Sequence, residues 1–274
     1  MSVGELVFVK LGGSLITDKT RPTTAREDVI ARLAEEIAQA RAARPDLRLL
    51  LGHGSGSFGH AVGQRYGTRE GVCDAEGWRG FAETAAAVAR LNRIVTDAML
   101  AAGLPVWSLQ PSATARCRDG RLVALDQETI HRALAVGLIP LIYGDVALDD
   151  VRSGTIASTE ELFAFLAPFL RPRCIILVGE VDGVFTADPS RDPAARPVPL
   201  LTPQAIASGG IGLGGAHGID VTGGMASKVA IMGELVQRVP GLEVHLISGR
   251  LSGRLAQVLG NPAYPAGTRI RREG

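Results

Sequence analysis

Leu6-Val-Phe-Val-Lys10-Leu-Gly-Gly-Ser14 opens as a short, largely β-branched apolar run and ends in two glycines. The same order returns at Leu47–Leu51, which leads into His53-Gly-Ser-Gly-Ser-Phe-Gly-His60. A strand that breaks into glycines at its carboxyl end is the unit from which ligand-binding α/β sheets are made. Further strands are predicted at Pro105–Leu109, Leu138–Tyr143, Cys174–Val178 and Glu243–Ile247. Between them, apolar residues recur at helical spacing: Ile30, Leu33, Ile37 and Ala40 on one face, and Phe81, Val88, Leu91 and Val95 on another. This repeated βα order predicts an α/β fold, a mostly parallel central sheet sandwiched by helices, with ligands at the carboxyl ends of its strands. Two hairpin excursions are expected, one turning at Asp119-Gly120 and one across Asp149–Gly154. The proline-rich stretch from Asp188 to Pro203 reads as an irregular connection, and no linker is long or polar enough to separate independent domains.

Composition narrows the function classes. The chain has 274 residues, 46% hydrophobic and 21% charged, with 29 basic against 28 acidic side chains. A net charge of +1 supplies no field favouring nucleic acid or a membrane surface, and the apolar content excludes disorder. The longest uncharged run, Ala98–Ala115, is broken by Pro105 and Pro111, and the apolar run near the start is only Leu6–Val9. No transmembrane helix or secretory signal is therefore expected, and Cys73, Cys117 and Cys174, without a CxxC pair, fit reduced thiols in a cytoplasm. The basic residues are themselves informative, because only Lys10, Lys19 and Lys228 are lysine and the rest are arginine. Arginine is a planar fork, whereas an ammonium is a compact charge that sits on a single phosphoryl oxygen.

Each lysine lies in or beside a glycine-rich segment. Lys10-Leu11-Gly12-Gly13-Ser14 points successive N–H groups at anionic oxygens if it binds a ligand, and is otherwise a plain turn after an edge strand. Gly54, Gly56 and Gly59 satisfy GxGxxG, but no strand ending in an acidic residue follows at the spacing a dinucleotide fold needs, so a second phosphate loop fits better. Of its flanking histidines, His53 reads as structural and His60 as functional. Gly144-Asp145 ends the fourth strand, where the carboxylate either orients lysines or is a solvated loop residue. Asp182-Gly183 after the fifth strand is a sugar contact or a turn. Gly218–Lys228 puts two glycines ahead of a helical pattern, an arrangement that binds phosphate through free N–H groups and the helix dipole. Walker P-loop, protein-kinase, HExxH and GxSxG patterns are absent, as is any Cys/His cluster at metal-ligand spacing.

Taken together, KLGGS, the loop after the second strand, GD after the fourth, VDGVF after the fifth and DVTGGMASK resemble the amino acid kinase superfamily over nearly the whole chain. Within it, Ile16-Thr-Asp-Lys19 and GSFGH ending in His60 are similar to the isopentenyl phosphate kinases. The resemblance implies transfer of the γ-phosphoryl of ATP to isopentenyl phosphate in isoprenoid biosynthesis. It implies one kinase domain over 1–274, with an acceptor lobe at roughly 1–170 and a nucleotide lobe at roughly 171–274, assembled as a homodimer. It assigns Lys10, Lys19, His60 and Lys228 to catalysis. Lys10, Leu11, Gly12, Gly13, Ser14, Gly56, Asp182, Gly224 and Lys228 fall to ATP, Ser55, Gly59, His60 and Gly144 to the acceptor, and Asp145 to orienting the lysines. No resident metal site is expected, Mg²⁺ being held mainly by the ATP phosphates. Two positions depart from the family pattern: Ser55 replaces the middle glycine of HGGGSFGH, with an expected loss of backbone freedom, and Gly179-Glu180 replaces the usual Thr-Asp ahead of Val181-Asp-Gly. Fosfomycin kinase is the nearest alternative, and a ligand-binding regulator without catalysis the alternative from another class.

Overall fold

In a computed structural model, which describes residues 4–187, 192, 194–208 and 224–272, the two glycine-ended runs are neighbouring strands. In chain order the first half comprises β1 (Leu6–Leu11), α1 (Gly13–Ile16), α2 (Glu27–Ala43), β2 (Arg48–His53), α3 (Gly56–Arg65), α4 (Ala75–Ala101), β3 (Val106–Ser108), β4 (Arg116–Arg118), β5 (Arg121–Ala124) and α5 (Gln127–Ala135). There follow β6 (Ile139–Tyr143), β7 (Asp145–Asp149), β8 (Ser153–Ala157), α6 (Thr159–Leu170), β9 (Cys174–Gly179), β10 (Val184–Phe185), β11 (Pro197–Val198) and β12 (Leu200–Leu201). The described residues close with α7 (Pro203–Ala207), α8 (Gly224–Arg238), β13 (Glu243–Ser248), α9 (Arg254–Gly260) and β14 (Thr268–Ile270).

Among the described residues the main sheet has eight strands in the order β12-β14-β13-β9-β1-β2-β6-β3, parallel throughout except where β13 meets β14. The predicted mostly parallel sheet between helices is therefore observed, but β1 is a central strand and not an edge. Its whole length is buried, as a strand covered on both faces must be. Alternate residues of a strand face opposite ways, and β1 divides accordingly. Val7, Val9 and Leu11 enter one apolar cluster with Ile30, Leu33, Leu91 and Leu255, while Leu6 and Phe8 enter the other with Phe163, Leu166, Val229 and Leu235. Lys10 shares the second direction, so its ammonium is carried toward α6.

Both predicted excursions form. They join in a smaller sheet, β5-β4-β7-β8. Asp149 holds its two turns together by accepting from the N–H groups of Asp119, Gly120, Val151 and Arg152 at 2.7–3.0 Å. Asp145, expected at the end of the fourth strand, instead begins β7. In the proline-rich connection, β11 and β12 are short strands, while 188–191 and 193 lie outside the described residues. Cys117 and Cys174 are buried and Cys73 is exposed. No helix among the described residues is long and apolar enough to cross a membrane.

Candidate active site

The carboxyl ends of β1 and β2 bring the two glycine loops into backbone contact. A Cβ on Gly13 would lie 2.4 Å from the Gly56 nitrogen, so no side chain fits between the loops there. Gly56 itself has φ of +49°, a left-handed conformation that favours glycine. Ser55, by contrast, has φ −72° and ψ −19°, ordinary right-handed backbone that any residue adopts, so the loss of freedom expected from this serine does not arise.

These loops form one side of a cleft that contains Lys10, Gly13, Ser14, Lys19, Ser55, Gly56, His60, Gly144 and Lys228. All three lysines of the sequence thus meet in one place, although they are separated by up to 218 positions in the chain. Other predicted residues sit behind this surface. Leu11 is in the core, Gly12 donates its N–H to the Val178 carbonyl at 2.7 Å, Gly59 packs under Ser55 and Val88, and Gly224 is buried at the start of α8. Of the segment 218–228, residues 218–223 lie outside the described residues.

Sequence reasoning missed the carboxylate at the centre of the cleft. Lys10 Nζ donates to Glu160 Oε1 at 2.6 Å, with both side chains almost wholly buried. Burial alone would raise the Glu160 carboxyl, but the charges of Lys10 and Lys228 and the Lys10 hydrogen bond outweigh it and hold the group below its ordinary value. The orienting part expected of Asp145 thus falls to Glu160 where Lys10 is concerned. Asp145 accepts instead from the N–H of Ser112 at 3.2 Å and its own neighbour Val146 at 2.8 Å, and burial raises its carboxyl despite those bonds.

Glu160 stands in the first turn of α6, which a capping box fixes. The Ser158 N–H donates to Glu161 Oε2 at 2.6 Å, and the Glu161 N–H donates to Ser158 Oγ at 3.2 Å. Arg69 then grips Glu161 with both guanidinium nitrogens, at 2.6 and 3.0 Å. The S-x-x-E pattern of Ser158–Glu161 was the available signal for this helix start, and in the structure Ser158, Thr159 and Glu160 line the cleft. α3 and α6 begin at this cleft, so two helix N-termini add their partial positive charge to the lysines, and α8 contributes Lys228.

His53 lies beneath the loop with no exposure. Its ring contacts the Gly54 carbonyl at 3.0 Å and Asn92 Oδ1 at 3.2 Å and stacks on Tyr143, which gives it the structural place expected. Burial pushes its pKa down to about 4, assisted by the nearby Lys10 charge and opposed by the two hydrogen bonds. Asp182, expected at the nucleotide, does not line this cleft: it borders a separate pocket with Arg254 and Arg269, where it accepts from the Ser248 N–H at 3.0 Å and pairs with Arg254 at 3.1 Å. Glu180, one of the two departures, is held by Arg26 at 3.1 Å and Arg250 at 2.7 Å.

A cleft lined by ammonium groups, helix N-termini and bare loop N–H groups is suited to a chain of phosphates. Comparison with known proteins agrees with that chemistry. The profile of the Amino acid kinase family matches residues 5–248. The chain belongs to the amino acid kinase family. It is 35% identical over 262 residues to the isopentenyl phosphate kinase of Methanothermobacter thermautotrophicus, covering 93% of this chain and 95% of that one. To the isopentenyl phosphate kinase of Haloferax volcanii it is 37% identical over 227 residues, 82% of this chain and 86% of the other. A solved isopentenyl phosphate kinase structure superposes with a TM-score of 0.82 at 32% identity, covering 97% of this chain and all of the other. The fold and the kinase family of this chain therefore rest on matches along nearly its full length.

Proposed function

We propose that this chain transfers the γ-phosphoryl group of ATP to isopentenyl phosphate, giving isopentenyl diphosphate and ADP. The observation that carries the reading is the convergence of Lys10, Lys19 and Lys228 with His60 on one cleft, in a chain similar to isopentenyl phosphate kinases over 93% of its length. An oxygen of the acceptor phosphate attacks the γ-phosphorus, the bond from that phosphorus to the β–γ bridging oxygen breaks, and ADP leaves. The acceptor is already ionised near neutral pH, since the second pKa of a phosphate monoester is about 6. No strong general base is needed, and the work of the protein is to place two anions in line and offset their repulsion.

In this reading Lys10 and the loop to Ser14 cover the transferring group, with Glu160 fixing the Lys10 ammonium. Lys19 stabilises charge in the transition state and Lys228 meets the ATP phosphates. His60, Ser55 and Gly144 hold the acceptor phosphate, and Gly56, Asp182 and Gly224 serve the nucleotide. The prenyl tail leaves the phosphate past Ile156 of β8, which lines the cleft and lies within 3.0 Å of where a Gly63 Cβ would stand. Val88 and Phe81 of α4 form the apolar ground behind, Val88 against Gly59 and Phe81 against Gly154. The acceptor lobe is then 1–170 and the nucleotide lobe 171–274, and the enzyme works in the cytoplasm as a homodimer.

Mg²⁺ belongs to the substrate in this account. Among the described residues no group of three or more His, Cys, Asp or Glu side chains is gathered to hold an ion, and Glu160 is engaged by Lys10. The metal enters with ATP, held by its phosphates. A coupled ADP-release assay across acceptors tests the function. Isopentenyl phosphate should give the highest kcat/KM, ahead of fosfomycin, inorganic phosphate, glutamate and uridylate. Faster turnover of fosfomycin would replace the acceptor, and no turnover of any acceptor would indicate a non-catalytic regulator.

A further inference from the structure

Thr17 is buried without exposure between the two glycine loops, and its hydroxyl bonds to both. Oγ1 donates to the Gly13 carbonyl at 2.7 Å and accepts from the Ser57 N–H at 2.9 Å, across 40 positions of sequence. It also lies against Gly56, where a Cβ would come 2.2 Å from the same oxygen. A third segment starts from this residue. Thr17 pairs with Ala25 in an isolated bridge, and the Asp18 N–H donates to the Thr24 carbonyl at 2.9 Å, closing the turn that carries Lys19. That turn is tied to the second loop as well, because the Thr24 N–H reaches Ser57 Oγ at 3.4 Å.

One hydroxyl therefore stands at the junction of the loop beside Lys10, the loop ending in His60 and the turn presenting Lys19. We propose that Thr17 is a positioning residue that sets the spacing between the donor and acceptor phosphates, an inference that rests on the phosphoryl-transfer reading above. In-line transfer is steep in distance, and a displacement of about 1 Å can lower a rate roughly a hundredfold. Each loop by itself keeps its own N–H groups when the hydroxyl is lost, so each substrate still binds, while their separation is no longer held. The signature is a fall in kcat with both KM values retained, as for an interaction expressed in the transition state.

Thr17→Val keeps the shape and removes the hydroxyl, and Thr17→Ser keeps the hydroxyl and removes a methyl. With ATP and isopentenyl phosphate, Val should lower kcat roughly 10- to 100-fold with both KM values within about threefold, and Ser should restore kcat to within about threefold of wild type. An isopentenyl ester of adenosine tetraphosphate, which joins donor and acceptor in one molecule, should bind Thr17→Val at least about tenfold more weakly than wild type. ATP alone and isopentenyl phosphate alone should bind as before. Should Val fail to fold, Thr17→Cys, with its weaker donor, must fall between Ser and wild type on one side and an inactive protein on the other. A lowered melting temperature with kcat intact, or a Ser variant as impaired as Val, overturns the proposal. Wild-type protein that does not turn over isopentenyl phosphate overturns the functional reading instead, and does so before any variant is made.

Discussion

Two regions of the molecule, the cleft and the segment around Glu180 and Asp182, are built differently. Around residues 10–17, 53–60 and 158–160 the parts meet through bare backbone, buried hydroxyls and the Lys10–Glu160 pair, whose side chains are 6% and 4% exposed. Around Glu180 and Asp182 the parts meet through arginines, and the Arg250–Glu180 pair is 62% and 27% exposed. Breaking a buried pair by removing one partner typically costs about 3–5 kcal/mol, whereas a solvent-exposed pair is worth about 0.2–1 kcal/mol. Geometry in the first region is thus held by buried contacts, and in the second by partly exposed ion pairs. This is also where the uneven use of basic residues acquires a meaning: the three lysines meet in the cleft, and no arginine lines it among the described residues.

The largest effects should come from the lysines. Lys19→Ala or Lys228→Ala should lower kcat/KM by roughly two to four powers of ten, the scale of groups that stabilise transition-state charge, with folding little changed. Near-normal turnover of either variant would make that lysine a surface residue. Next comes a direct contrast between the two regions. Glu160→Gln should destabilise the protein by about 3 kcal/mol in denaturant unfolding and Glu180→Gln by less than about 1 kcal/mol. Equal costs would remove the distinction.

A further effect, confined to the buried His53 beneath the cleft, is read by pH. The folded His53 has its pKa near 4 instead of 6.5, so unfolded chains bind a proton across an interval in which folded ones do not. The stability associated with neutral His53 is present above pH 6.5 and is lost as the pH falls from 6.5 toward 4, by up to about 3 kcal/mol. Denaturant midpoints over that range should fall for wild type and fall less for His53→Gln. His245, also buried with its pKa lowered by burial, adds a loss of the same sign that both proteins share.

Much of this architecture was legible in the sequence, and the reasons are physical. β1 was legible because a strand buried on both faces is written as a nearly continuous apolar run, here Leu6–Val9 and Leu11 around the single Lys10, ended by two glycines. The Asp119-Gly120 turn was legible because both residues take positive φ, the demand that Asp-Gly answers in a hairpin. Glu160 was not legible as a site residue. A glutamate in the first turn of a helix reads as an ordinary dipole partner, and only the direction of Lys10 on β1 shows that it is buried in the cleft. Asp145 misled for the converse reason. The same Gly-Asp pair that marks a strand end also starts β7, whose pleat turns the carboxylate toward Ser112. Ser55 and Gly56 could not be ranked by composition, since the crowding that leaves no room for a Cβ at Gly56 comes from Thr17, some 40 residues away.

The central claim, that this cleft holds a prenyl phosphate as acceptor, is tested most directly at His60. Steady-state kinetics of His60→Ala with isopentenyl phosphate, beside ATP binding measured alone, isolate the acceptor contact. Loss of a charge-assisted hydrogen bond of about 1.5–3 kcal/mol should raise the acceptor KM and lower turnover, together about 10- to 150-fold in kcat/KM, with ATP affinity unchanged. Wild-type acceptor kinetics in His60→Ala would contradict the account.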